Sequence, residues 1–356
     1  MPHWLLPIAA YNSFSGEIIM EKLVVGIIGL SLGRIHLDGA VKYGAEIGGI
    51  CDLKEDFLEE MGEKYNIPEE KRFTDYRDIL NIKEINTVIL ATPDQLHREQ
   101  IIESLEAGKH VMCEKPLALT REDLEAIVEA ASKSDRKVMV GQICRFTPAF
   151  VKAKEIIDAG TIGEIYYVES EYAHDYMHIL ADMSIWRSDP KRHGVIGGGC
   201  HAVDLLRWYV GDPVEVFAYG THKLLPQVAY DDATISVLKF PNSIIGKVFV
   251  STGCKRDYTM RTLIYGTKGT IICDNTSPTM RLYTVGENGM AEEYETIEVD
   301  VNNHNAAREF EVFADTILGK APLEMTATEG AKTIAACLAI VESAQSGVPV
   351  KPDYNF

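Results

Sequence analysis

Basic side chains are scarce in this chain. Thirty-five lysines and arginines stand against 53 aspartates and glutamates, a formal net charge of −18 over 356 residues. That balance argues against a nucleic-acid or anionic-membrane partner. Paired cysteines are also missing. Seven cysteines, at 51, 113, 144, 200, 254, 273 and 337, are dispersed and form no Cys-x-x-Cys motif. Neither a disulfide framework nor a thiolate zinc site is indicated, no metal is expected, and a reducing, cytoplasmic compartment is the simplest reading. No apolar run approaches the roughly 18–20 residues of a membrane span. The apolar stretch at residues 4–11 has no Lys or Arg before it and is interrupted by Pro7, a poor signal peptide. Met20-Glu21-Lys22 precedes a strong strand, so residues 1–19 are expected to form an N-terminal extension. Repeats, low-complexity segments and charge blocks are absent.

What remains is an ordinary globular composition, 46% hydrophobic and 25% charged, at a length that suits two domains. Residues 23–29 are a continuous apolar run, followed by a Gly/Ser turn and a helix from about 34 to 43. Strands are predicted at 46–51, 87–91, 111–113 and 137–141, with helices between them. This alternation predicts a doubly wound parallel sheet of Rossmann type over residues 20–142. Beyond 142 the pattern changes. A helix near 148–159, a half-buried strand at 164–172 and a helix at 201–210 precede strands at 213–220, 231–240, 243–251, 260–266 and 269–273. Helices near 303–318 and 327–346 finish the chain. Residues 143–356 therefore read as an α+β domain on one large, mostly antiparallel sheet.

Gly29-Leu30-Ser31-Leu32-Gly33-Arg34 sits where a dinucleotide-binding turn belongs, between strand and helix. It departs from G-x-G-x-x-G: Ser31 replaces the second glycine, and Gly33 comes one residue early. Asp52, nineteen residues after Gly33 at the end of the second strand, fits the carboxylate that binds the adenosine ribose. It would repel a 2′-phosphate, so NAD is favoured over NADP. Ala91-Thr92-Pro93, with His97 beyond it, would lie along the nucleotide's path, although Thr92 or Asp94 is also a plausible helix cap. Glu114-Lys115-Pro116 leaves the strand at 111–113 at its carboxyl end, where open α/β sheets place their ligands. From position alone it reads either as a positioned polar pair or as a surface ion pair, and Pro116 makes a cis bond possible.

These stretches resemble the Gfo/Idh/MocA oxidoreductases, which include glucose–fructose oxidoreductase, inositol dehydrogenase and rhizopine-catabolism proteins. The matching segments are residues 25–36, Ala91-Thr92-Pro93 with His97, AGKHVMCEKPLALT at 107–120, Trp186-Arg187, GGGCHAVD at 197–204, and the final helix with Ser346-Gly347-Val348-Pro349-Val350. The resemblance implies tightly held NAD(P), bound by Gly29, Ser31, Leu32, Gly33, Arg34, Asp52, Thr92, Pro93 and His97. It implies that Glu114 holds the nicotinamide ribose and that Lys115 contacts both the nicotinamide region and the reacting substrate oxygen. It implies as well that the C-terminal sheet is open, that its domain serves substrate binding and oligomerisation to a homodimer or homotetramer, and that the last helix packs near the interdomain cleft.

The departure from the family is at one position. Members commonly carry Asp-x-x-x-His followed by Asp; here His201 and Asp204 match, but Gly197 stands where the first Asp belongs. His201 remains the best proton-transfer candidate. Asp204 reads as a structural partner or a helix-face acid. The segment from 172 to 193 carries His174, Asp175, His178, Asp182, Trp186, Arg187 and His193. It reads as pocket lining, a substitute base, a metal site or a polar loop, with His174 and His178 sharing a helix face. Arg145 is either a pocket residue or an interdomain ion pair. The site so expected has Lys115 and His201 catalytic, with Arg145, His174, His178, Trp186 and Arg187 on the substrate. The expected activity is NAD-linked oxidation of a secondary carbinol in a sugar, cyclitol or related polyol. The alternative is a glycosidase or lyase that uses NAD transiently, with no net redox.

Overall fold

The computed structural model describes residues 22–356 apart from 183–184, 292 and 302–303, and leaves the side chains of 181–185 undescribed. The expected extension at 1–19 and the Asp182 side chain lie outside the described residues. In the first half β1 (Val24–Ile28), α1 (Leu30–Tyr43), β2 (Glu46–Cys51), α2 (Glu55–Lys64), β3 (Arg72–Phe73), α3 (Tyr76–Asn81), β4 (Thr87–Leu90), α4 (His97–Glu106), β5 (His110–Glu114), α5 (Arg121–Lys133) and β6 (Val138–Gly141) alternate. The strands form a parallel sheet in the order β3-β2-β1-β4-β5-β6. The doubly wound reading therefore holds. Helices cover both faces, which is why every residue of β1, β4, β5 and β6 is buried. The order reverses between β1 and β4, so the carboxyl ends of those strands open a crevice.

The second half contains α6 (Pro148–Asp158), β7 (Ile165–Ala173), α7 (Met177–Asp182), α8 (Gly194–Gly197), α9 (Cys200–Val210), β8 (Glu215–Thr221), β9 (Ala233–Lys239), β10 (Ile245–Ser251), β11 (Thr259–Gly266), β12 (Gly269–Asp274), β13 (Thr279–Thr284), β14 (Glu295–Glu298), α10 (Ala306–Ile317) and α11 (Ala327–Ser346). Its sheet runs β14-β13-β12-β11-β7-β10-β9-β8, antiparallel except where β10 lies parallel to β7. One face packs on α6, α9 and α11. The other leaves Tyr219, Ile235, Val237 and Ile245 exposed.

The two halves are stitched together by the end of the chain. Phe310 and Phe313 of α10 lie in the core of the first sheet with Val25, Ile27, Leu37 and Met139. Met139 of β6 bridges to Thr326, and the Val140 N–H donates to the Met325 carbonyl at 2.9 Å. Among the described residues no helix is long and apolar enough to cross a membrane.

Candidate active site

The cofactor cradle is built at the carboxyl ends of β1, β2 and β4. Gly29 ends β1 at φ 87°, and a Cβ there would lie 2.6 Å from the Ala91 carbonyl oxygen, so only glycine fits. Gly33 lets α1 approach β1: its Cβ would meet Ile27 at 3.0 Å. α1 starts at Leu30, so Ser31 stands in its first turn, where free N–H groups favour an anion. Asp52 accepts from the Leu30 N–H at 2.6 Å and the Lys54 N–H at 2.9 Å, which ties the β2 end to that turn. Gly29, Ser31, Leu32, Asp52, Thr92, Pro93, Glu114 and Lys115 all line one cleft of about 750 Å³. The residues present thus fit a dinucleotide: a glycine cradle, a helix N-terminus and a ribose carboxylate in one groove.

Glu114 and Lys115 leave β5 at the end of this cleft, followed by a cis Lys115–Pro116 bond. Burial alone would raise the Glu114 carboxyl, but the His36 hydrogen bond and the Lys115 charge outweigh it and hold it at about 2. An ionised carboxylate can only accept, so the His36 Nε2–H donates to Glu114 Oε1 at 2.7 Å. On the other side of His36, Nδ1 lies 3.8 Å from Glu309 Oε2. Glu309 is fully buried, and burial together with the Glu114 charge raises its pKa well above the usual range, so it is a neutral acid. Glu114, His36 and Glu309 form a buried row beneath Lys115.

His201 sits in α9, 2% exposed, with its ring stacked on Tyr172 at 6.2 Å and its Nδ1 without a protein partner. Burial, reinforced by the Lys115 charge, pushes its pKa well below that of a free imidazole. The ring is neutral.

The volume at Gly197 is filled by Arg192. A Cβ on Gly197 would lie 2.1 Å from Arg192 Nη1 and 2.4 Å from its Cζ. His193, at φ 33°, reverses the chain between the turn at Pro190–Arg192 and α8, so Arg192 folds back over Gly197. The guanidinium donates from Nε to Asp94 Oδ2 at 2.6 Å and from Nη2 to the Gly197 carbonyl at 3.1 Å. Trp186 and Arg187 join Arg192 on the wall of the same cleft.

Several expected site residues stand elsewhere. Arg145 is not free for substrate: it makes a two-pronged ion pair with Asp204 at 2.7 and 2.8 Å, and Thr333 of α11 donates to the same carboxylate. Asp204 is accordingly a structural partner. His97 is fully buried, with Nδ1 2.9 Å from the Pro116 carbonyl and Nε2 3.1 Å from the Thr92 carbonyl, so it braces two cleft loops. Arg34 is exposed on α1, outside the lining. His174 and His178 do not share a helix. The His174 and Tyr176 N–H groups continue the ladder towards β10, at Ser251 and Thr252, and α7 begins only at Met177. The two rings are still 6.3 Å apart, with His178 exposed. Among the described residues no group of three metal-ligating side chains gathers.

Four residues of the site escaped sequence reasoning: His36, Asp94, Arg192 and Glu309. Gly197 was the available signal for Arg192, because a missing side chain leaves volume that something must fill.

Fold and site together define an NAD-binding oxidoreductase. The chain belongs to the Gfo/Idh/MocA family: residues 23–142 match the model described as "Oxidoreductase family, NAD-binding Rossmann fold" and residues 150–272 the GFO/IDH/MocA C-terminal domain. It is 31% identical to the myo-inositol 2-dehydrogenase of Thermotoga maritima over 278 residues, 73% of this chain and 78% of that protein. It is 30% identical to the levoglucosan dehydrogenase of Pseudarthrobacter phenanthrenivorans over 229 residues, 57% of this chain and 59% of that one. A solved levoglucosan dehydrogenase in complex with NADH shares the fold at TM-score 0.84 and 23% identity, over 93% of this chain and 99% of the other.

Proposed function

We propose that this enzyme oxidises a secondary carbinol of a sugar, cyclitol or related polyol, with Lys115 and His201 acting on the reacting oxygen. The observation that carries the reading is a neutral buried imidazole, His201, close enough to Lys115 for the lysine's charge to depress its pKa. The hydroxyl proton must leave as hydride leaves carbon. An ammonium beside that oxygen stabilises the developing alkoxide, and an unprotonated imidazole takes the proton. NAD, when bound, supplies the hydride acceptor. Asp52 would hold its adenosine ribose, the first turn of α1 its pyrophosphate, and Glu114, anchored by His36, its nicotinamide ribose.

The test is NADH formation with a panel of polyols. Lys115→Ala should lower kcat by about 10²-fold or more while NADH still binds. A loss below about tenfold would remove Lys115 from this role. Consumption of a glycoside with no accumulation of NADH would assign the redox-neutral cleavage reaction instead.

The same reading places the enzyme in the cytoplasm as a homodimer or homotetramer. Its seven cysteines are all free thiols, six of them buried, which suits a reducing compartment. The exposed apolar row on β8, β9 and β10 supports self-association through the second sheet.

A further inference from the structure

We infer that the substrate of this site carries a carboxylate, received by Arg187 and Arg192 beside Lys115: the enzyme acts on a sugar acid and not on a neutral polyol. The inference rests on the dehydrogenase reading above and deepens it.

Its starting point is the exchange of charge at Gly197. The carboxylate expected there is absent, and no side chain can be restored while a guanidinium nitrogen lies 2.1 Å from the Cβ position. A negative group facing the substrate has been replaced by a positive one. Arg192 is 1% exposed, and Asp94 and the Gly197 carbonyl take its Nε and Nη2. Its Nη1 is buried without a hydrogen-bond partner, and the Tyr230 hydroxyl stands close enough to Arg192 to feel its charge. Arg187 stands beside it, its guanidinium 4.4 Å from the Trp186 ring that Arg192 also flanks at 5.3 Å. The Arg187 Nε is likewise buried and unpartnered, and among the described residues no carboxylate forms an ion pair with Arg187.

Lys115, Arg187 and Arg192 line the cleft together with Asp94 and Glu114, both carboxylates are engaged, by Arg192 and His36 respectively, and among the described residues Arg187 is left without an ion-pair partner. Buried donors without acceptors are strongly disfavoured unless a ligand supplies the acceptors. A polyol offers scattered hydroxyls. A carboxylate offers two coplanar oxygens and a charge, which match guanidinium donors. The cofactor's pyrophosphate has donors of its own in the first turn of α1, and the NADH affinity of an Arg187 variant separates its claim on that arginine from the substrate's.

The test uses the full-length enzyme. Glucuronate, galacturonate and gluconate are compared with glucose, galactose and sorbitol, by kcat/KM with NAD and by titration of the fluorescence of enzyme-bound NADH. Arg187→Met is the variant, with its thermal unfolding and NADH affinity measured alongside; Arg192 is avoided because its loss would strand buried Asp94. Acids should be preferred over their neutral counterparts by about tenfold or more, and Arg187→Met should weaken acid binding about ten- to hundredfold. That loss should exceed any loss on neutral polyols by about tenfold, with NADH affinity retained. Equal turnover of neutral polyols overturns the inference and leaves the dehydrogenase reading standing. Saturable acid binding that Arg187→Met abolishes, without turnover of any compound, supports the inference and sinks the dehydrogenase reading. Absence of acid binding, or a variant defective chiefly in NADH affinity, overturns the inference.

Discussion

Glu309 has no hydrogen-bond partner for either carboxyl oxygen and no exposure to water. Its folded pKa is raised well above the unfolded 4.5, first by burial and then by the Glu114 charge. A raised acid contributes stability that is complete below about 4.5 and lost as pH climbs through the folded value, because the unfolded chain sheds its proton first. Glutamine carries the same shape without a proton to lose. Glu309→Gln should therefore leave stability little changed near pH 4.5 and raise it progressively above that, by about 1.4 kcal/mol for each unit of pH the wild type must span; thermal scans across pH read this as a growing difference in Tm. Gly197 is a second residue whose identity is forced. Gly197→Ala puts a methyl 2.1 Å from Arg192 Nη1 and pushes the guanidinium off Asp94. We expect a loss of about 1–3 kcal/mol in chemical denaturation, with an unchanged m-value. Gly197 was visible in the sequence as a gap in a motif, whereas Glu309 was not. Neither disclosed its neighbour, because motif spacing describes one stretch of chain, and these contacts join stretches that folding brings together.

At the scale of elements, most strands and helices were legible because their burial pattern is local. β2 spans residues 46–51 and α11 residues 327–346, as the apolar runs and alternation predict. β13 and β14 escaped that reading. β14 reads Glu-Thr-Ile-Glu at the sheet edge with three residues exposed, so its extended form comes from pairing with β13 and not from an apolar face. The docking of α10 was also illegible. Its amphipathic stripe predicts a buried side but not the partner, which is α1, more than 260 residues earlier. At Gly39 the two helices touch almost backbone to backbone: a Cβ would lie 3.0 Å from the Ala306 carbonyl oxygen and 3.1 Å from the Ala307 Cα. Gly39→Val should separate them, lowering stability by about 1–3 kcal/mol in thermal or denaturant unfolding. Since α10 delivers Glu309 to His36, NADH titration should register weaker binding in the same variant.

At the scale of the molecule, one face of the second sheet carries helices, and among the described residues the other carries none. Register sets Ile235 of β9 opposite Tyr219 of β8 and Phe249 of β10, and Val237 opposite Phe217 and Lys247. Glu169 and Glu171 of β7 continue this face, held by Lys247, Arg256 and Arg261. Val237 and Ile235 are 55% and 43% exposed, which an isolated chain has no reason to maintain in one row. Val237→Lys should yield a monomer in sedimentation velocity with its thermal transition still cooperative; an unchanged oligomer would locate the interface elsewhere. The sequence by itself determined the two architectures, the NAD cradle and the placing of Lys115 and His201, since each rests on local periodicity or on a motif within one turn of chain. Only the tertiary structure decided which groups surround them. Arg192 over Gly197, Arg145 on Asp204, and Glu309 behind His36 depend on volume left by one element and filled by another, and on side chains that meet only when distant stretches of chain are folded together.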